Sequence, residues 1–142
     1  MEGRYTIDAS IVVKWLNQNN EESTTQALSV LEGCYKGAYS LLAPELCIME
    51  VSNALLRGKG LSGKKLEKAV DLLFIIPIQY VSLTQDRTQS SILISESSGM
   101  TFYDALYVAI ALEHHAPLIT ANVKHQQKFR KDLVVDIKTW KV

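Results

Sequence analysis

Short runs of branched apolar residues alternate along this chain with longer segments of helical spacing, and that alternation restricts the fold more than any other feature. Tyr5 to Ile7, Tyr39 to Leu42, Ile78 to Leu83, Leu118 to Thr120 and Leu133 to Ile137 read as strands. Between them lie Ala9 to Leu16, Glu21 to Lys36, Glu45 to Arg57 opened by Pro44, Ser62 to Ile76, Thr84 to Ser98, Thr101 to His115 and Val123 to Arg130, each with helical periodicity. Short strands rich in Ile, Val and Leu that alternate with helices predict an α/β fold with a central parallel sheet covered by helices on both faces. At 142 residues, with no repeat, linker or low-complexity segment, the chain reads as one domain over 1–142. In sheets of this kind ligands bind beyond the carboxyl ends of the strands, so the polar residues there carry the functional question.

Composition removes several classes. Fifteen Lys and Arg balance fifteen Asp and Glu, so the chain lacks the global basic field of a non-specific nucleic-acid coat. Excess basic charge is local, five against two acidic residues over 51–80 and six against two over 121–142. The apolar runs Leu72 to Ile76 and Ala105 to Leu112 fall well short of the roughly 20 residues that span a bilayer. The start of the chain lacks the basic and apolar segments of a secretion signal, so a cytoplasmic protein without membrane contact is expected. Cys34 and Cys47 have neither CxxC spacing nor a nearby His, which predicts buried thiols. His114, His115 and His125 show no metal-ligand spacing and are expected at the surface, and Trp15 and Trp140 are expected to pack in or beside the core. No GxxxxGK[ST], GxGxxG or GxSxG occurs.

Three acidic residues stand in apolar surroundings. Glu50 has no cation at i±3 or i±4, and a carboxylate inside an apolar helix must reach water, a distant cation or a metal. Asp104 is the one charged residue between Glu96 and Glu113, although Thr101-x-x-Asp104 is also a helix-capping pattern. Asp8 ends the first strand, where it serves equally as an N-cap with help from Ser10, and Asn122 follows the fourth strand as a fair N-cap for the next helix. Taken together they converge on one edge of the sheet, where several carboxylates raise one another's pKa unless a cation neutralises them. Hard oxygen donors select Mg²⁺ or Mn²⁺, ions that act mainly on phosphates. Asp8, Glu50 and Asp104 are therefore expected within metal-bridging distance of one another.

The segments Ile7 to Trp15, Glu50 to Leu55, Tyr103 to Ala109 and Leu118 to Ala121 resemble, in order and across nearly the whole chain, the successive motifs of PIN-domain nucleases, and most of all the VapC-type toxins of prokaryotic toxin–antitoxin pairs. The resemblance implies a three-layer fold with a parallel sheet of about five strands, an acidic cleft at its carboxyl edge, and Mg²⁺- or Mn²⁺-dependent cleavage of RNA. By position, Asp8 and Asp104 would be the principal metal ligands, Glu50 would bind the metal directly or through water, Ser10 would steady the cluster and Asn53 would support Glu50. Lys14 and Arg57 are candidate contacts to RNA phosphate, Arg57 because it stands at i+7 from Glu50. The implied partners are an RNA substrate, a cognate antitoxin protein and a second copy in a homodimer. The apolar helix from Thr101 to Leu112 is also expected to serve partly as an interface.

One departure stands out. The family commonly has an aspartate where this chain has Asn122, and no Asp or Glu lies between Glu113 and Asp132 to replace it. A neutral amide offers only a carbonyl as ligand, so weak cleavage with a high Mg²⁺ requirement or a Mn²⁺ preference is expected. The same departure favours a second reading, a catalytically weak PIN-like module that holds RNA or a protein partner. A metal-dependent phosphatase or receiver-like domain is disfavoured because Asp8 lacks the paired acidic neighbour of such sites.

Overall fold

The computed structural model describes residues 3–142. Five parallel strands form one sheet: β1 (Gly3–Ile7), β2 (Tyr39–Pro44), β3 (Ile78–Val81), β4 (Leu118–Thr120) and β5 (Val134–Asp136), in the spatial order β3-β2-β1-β4-β5. Seven helices connect them: α1 (Ala9–Leu16), α2 (Thr24–Tyr35), α3 (Leu46–Asn53), α4 (Gly63–Ile75), α5 (Gln85–Ser98), α6 (Phe102–His114) and α7 (Val123–Gln126).

The strand order explains where the site must lie. From β1 the chain steps outward to β2 and β3, then returns past β1 to β4 and β5. Right-handed crossovers in opposite directions put the two sets of helices on opposite faces. Accordingly α1 packs against α2, α3 and α4, while α6 lies over β1 and β2 with α5 packed against it. The reversal makes the gap between β1 and β4 the topological switch point, the crevice where such sheets bind ligands. Thr6 pairs with Leu118 and Ile7 with Ile119, so Asp8 and Thr120 stand side by side at the mouth of that crevice.

The sheet is apolar because both of its faces are covered. Ile7, Leu41, Ala43, Leu118 and Ile119 are fully buried. In α6 every residue from Ala105 to Ala111 is buried, which accounts for a helix that is apolar all round. Most of its apolar surface is thus taken up by the chain's own core, and Tyr103 and Leu112 at its two ends are what remains exposed for an interface. Trp15 is buried with Nε1 donating to the Ala27 carbonyl at 2.6 Å, and Trp140 stacks edge-on with Tyr5 and Tyr39. Gly33 is dictated by that aromatic cluster, since a Cβ there would lie 2.2 Å from the Tyr39 hydroxyl.

Three local expectations are corrected. Pro44 ends β2 rather than opening a helix. The segment expected as one helix to Arg57 changes after Asn53 into a π-helical turn, Ala54–Gly58, closed by Lys59 N donating to the Ala54 carbonyl at 2.8 Å. The seventh helix stops at Gln126, four residues short of Arg130.

Candidate active site

Asp8 is built into the crevice by local and distant contacts together. It caps α1, its Oδ2 accepting from Ser10 N at 3.1 Å and from Thr120 Oγ1 at 3.2 Å, while Oδ1 accepts from Gln126 Nε2 at 3.1 Å. The residue is 4% exposed, and three donors offset the desolvation that burial imposes on a carboxylate. Ser10 contributes a second tie, its Oγ accepting from Ala121 N at 3.1 Å, so the start of α1 is fastened to the loop after β4.

Glu50 arrives from the middle of α3, half-buried, with Oε1 accepting from the Tyr107 hydroxyl at 2.7 Å. Burial pushes its carboxyl above the ordinary value, and the charges of Asp8 and Asp104 push it further, against the Tyr107 hydrogen bond that holds it down. Asp104 sits in the first turn of α6. The Thr101 hydroxyl accepts from its backbone N at 3.1 Å, so the capping half of the sequence pattern is realised while the carboxyl remains half-exposed. Burial raises its carboxyl, Asp8 adds to that, and the Thr101 hydroxyl, His125 and Lys128 pull it down.

These effects mean that Glu50 and Asp104, 42 and 96 residues beyond Asp8, share one electrostatic neighbourhood with it. The expected ready-made metal set is not what they form. Among the described residues no three His, Cys, Asp or Glu side chains stand close enough together to hold one ion. Asp8 is pinned by its three donors, whereas Glu50 and Asp104 are half-exposed side chains on separate helices. By donor chemistry the group suits a hard divalent cation: three carboxylates, two of them with raised proton affinity, and a buried Gln126 Oε1 that lacks any partner.

The remaining candidates divide. Asn122 is exposed, two residues past β4; its backbone N donates to Thr120 Oγ1 at 2.9 Å, and its side chain makes no capping bond. Asn53 lines the same shallow groove as Glu50, with Leu46, Met49 and Tyr103, but makes no hydrogen bond to it. Arg57 is exposed and lies in the π-helical turn, which rotates it out of the phase from which its i+7 relation to Glu50 was read. Lys14 is corrected outright as a phosphate contact. It is 5% exposed, with Nζ donating to Glu21 Oε1 at 2.9 Å and to the Glu22 carbonyl at 2.7 Å, and Glu21 is shared with Lys59 at 2.6 Å.

Sequence reasoning missed Tyr107, Thr120 and Gln126. Tyr107 is 1% exposed and stays protonated, because burial and the neighbouring Cys47, Asp8 and Glu50 all push its hydroxyl upward. Its one signal was position: a hydroxyl in an otherwise apolar helix, three residues after Asp104. Cys47, as expected, is a buried thiol, pushed up to about 12 first by burial and then by Asp8 and Glu50. Cys34 is only partly buried.

Beside the acids lies an apolar recess of about 280 Å³ lined by Pro44, Leu46, Met49, Leu83, Phe102 and Tyr103 among others. It shares Leu46, Met49 and Tyr103 with the Glu50 groove.

The family profile described as PIN domain matches residues 5–131. No curated protein sequence matches the chain. Among solved structures, a toxin–antitoxin complex from Klebsiella pneumoniae superposes with a TM-score of 0.67 at 18% identity, covering 94% of this chain and 97% of that one. The VapBC2 structure from Rickettsia felis, bound to a fragment of promoter DNA, gives 0.65 at 18% identity, covering 94% and 96%. A sarcin–ricin-loop-cleaving toxin from Mycobacterium tuberculosis gives 0.60 at 12% identity, covering 82% and 87%. At these identities the likeness is one of fold.

Proposed function

The chain belongs to the PIN domain family, and from that premise we propose that it is a divalent-metal-dependent endoribonuclease and the toxin of a toxin–antitoxin pair. The observation that carries the reading is that Glu50 on α3 and Asp104 on α6 both lie within the electrostatic reach of Asp8 at the β1–β4 crevice, whose charge raises the proton affinity of each. Such a group is costly unless it has a cation to bind. The RNA-cleaving activity named for the Mycobacterium tuberculosis neighbour supports the substrate class.

In this reading Asp8, Glu50 and Asp104 hold Mg²⁺ or Mn²⁺. The bound ion would polarise a phosphodiester and supply a nucleophilic water at neutral pH. Asp8, fixed by Ser10, Thr120 and Gln126, sets the reference geometry. Glu50 on α3 and Asp104 on α6 would supply the other carboxylates, and Tyr107 holds Glu50 through its hydroxyl. Lys128 lies within electrostatic reach of Asp104, where its positive charge would be available to a phosphate backbone. Asn122 offers a neutral carbonyl where the family's fourth carboxylate would stand, so the activity is weak and metal-hungry.

The proposed partners are a cognate antitoxin, in keeping with the Klebsiella pneumoniae complex, and a second copy of the chain. Exposed apolar side chains outside the core, Phe74 and Ile75 on α4 and Ile92 and Leu93 on α5, give such partners surface to cover. A cytoplasmic location goes with this reading; among the described residues no helix is long and apolar enough to cross a membrane. Asn122 also sustains the second reading, a module that binds RNA or protein without efficient cleavage.

Metal titrations of wild type, Asp8→Asn and Asn122→Asp against one single-stranded RNA, beside a mock purification, separate the two. The nuclease reading expects slow cleavage by wild type at high Mg²⁺ or with Mn²⁺, none by Asp8→Asn, and faster cleavage by Asn122→Asp at lower metal. If wild type binds no divalent ion at millimolar concentration and Asn122→Asp cuts nothing, the binding-module reading replaces it.

A further inference from the structure

Gln126 has no exposed surface, yet it is a long polar side chain on a helix of only four residues. Its Nε2 donates to Asp8 Oδ1 at 3.1 Å, and its Oε1 is buried with no hydrogen-bond partner. A Leu or Met would fill the same space without losing rotamer freedom at an amide and without leaving a carbonyl bare. Packing therefore does not account for the residue. The orientation of the amide follows from its neighbour, since the reverse assignment would set two oxygens against each other.

The other Asp8 oxygen, Oδ2, is held by Ser10 N and Thr120 Oγ1, whereas among the described residues Oδ1 receives only the Gln126 amide. Without Gln126 the carboxylate is tethered on one side. With it the plane of the group is fixed, because any rotation breaks a hydrogen bond at one oxygen or the other.

We propose that Gln126 is a positioning residue that locks the Asp8 carboxylate into a single orientation for a divalent cation, joining α7 to the site through Oδ1. The inference rests on the metal-nuclease reading and adds to it a residue 118 positions from Asp8. Outer partners of metal-binding carboxylates typically change metal affinity by about 10–100-fold when removed.

The test compares full-length wild type, Gln126→Met and Asp8→Asn for Mn²⁺ binding, read from the free-ion signal in electron paramagnetic resonance, after urea unfolding has shown each protein folded. Met matches Gln in length and removes the donor. The expected result is about 10-fold weaker Mn²⁺ binding by Gln126→Met, with kcat on single-stranded RNA reduced and KM unchanged. A space-filling role would shift the urea midpoint and leave the Mn²⁺ affinity of the folded protein as it was. Wild-type affinity in Gln126→Met, with binding lost in Asp8→Asn, overturns this inference and leaves the nuclease reading standing; no Mn²⁺ binding by wild type overturns both. Should the Met variant not fold, Gln126→Leu takes its place and is judged by the same outcomes.

Discussion

Lys14 supplies a direct test of how the fold spends its buried charge. Its ammonium, 7% exposed at the side chain, lies between Glu21 and the Glu22 carbonyl, and Glu21 bridges on to Lys59. In Lys14→Met the stem still packs and Glu21 keeps Lys59, so two charge-assisted hydrogen bonds are lost while the ammonium's desolvation cost also disappears. The net loss is about 1–3 kcal/mol. In Glu21→Gln the reverse imbalance arises: a buried ammonium faces a neutral amide, and the loss is about 3–5 kcal/mol. Urea unfolding at pH 7 should therefore rank Glu21→Gln as the more damaging change, with a melting point lower by about 6–20 °C. Acidification should narrow its gap from wild type. Burial raises the Glu21 carboxyl, but the hydrogen bonds and charges of Lys59 and Lys14 outweigh it and hold the group below its ordinary value. A lowered folded pKa contributes stability that is complete above the ordinary glutamate range and is lost as pH falls through the lowered value. Lys14→Met should also bind single-stranded RNA as wild type does. A loss under 1 kcal/mol in Glu21→Gln, or a large drop in RNA affinity in a folded Lys14→Met, would refute this account.

Two further outcomes follow from the site. Glu50→Gln keeps an acceptor for Tyr107 and removes one like charge; because Glu50 and Asp104 have raised folded values, metal-free wild type should lose stability as pH climbs from the ordinary carboxylate range toward neutrality, and urea titrations in EDTA should show a shallower loss in the variant. Arg57→Ala, at an exposed position, should change stability by no more than about 0.5 kcal/mol; if Arg57 meets phosphate, the slope of log affinity for RNA against log salt should fall by about 0.7.

The layer architecture was legible because it depends on local periodicity alone. Ala9–Leu16 and Leu118–Thr120 match their sequence-based bounds to the residue. What periodicity does not carry is hydrogen-bond phase and long-range pairing. The π-helical turn after Asn53 leaves the apolar pattern unbroken, so Glu45 to Arg57 reads as one helix and the i+7 relation of Arg57 to Glu50 is read in α-helical phase. Pro44 satisfies both a first helical turn and the end of a strand, and the pairing of β2 with β3, Pro44 opposite Val81, selects the second. Lys14 looked free because its partners, 7 and 8 residues on, lie in the loop after α1 has ended, where helical spacing no longer says which side chains meet. The acids themselves were found by the absence of local cations, a signal that burial creates and sequence displays. Their outer partners carried no such mark: Thr120 reads as a strand residue and Gln126 as one residue of a short helix.

The three carboxylates differ in how far the protein has already satisfied them, and that gradient gives the site its character. Asp8 receives three hydrogen bonds and is buried, so the protein has compensated its charge before any ligand arrives. Glu50 receives one, from a hydroxyl that cannot ionise at neutral pH, and Asp104 depends on the Thr101 hydroxyl and the charge of Lys128. Electrostatic demand thus rises from the rigid member to the two half-exposed ones, and a cation gains most where the side chains are freest to move toward it. Asn122 fits the same gradient from the outside. Its backbone N–H holds Thr120 Oγ1, which in turn donates to Asp8, so the position serves the rigid end of the site through its main chain whatever its side chain carries. A carboxylate at that position would add charge on the solvent side of the crevice; the amide adds none to the repulsion among the other three, and in the proposed site it would offer a cation only a carbonyl.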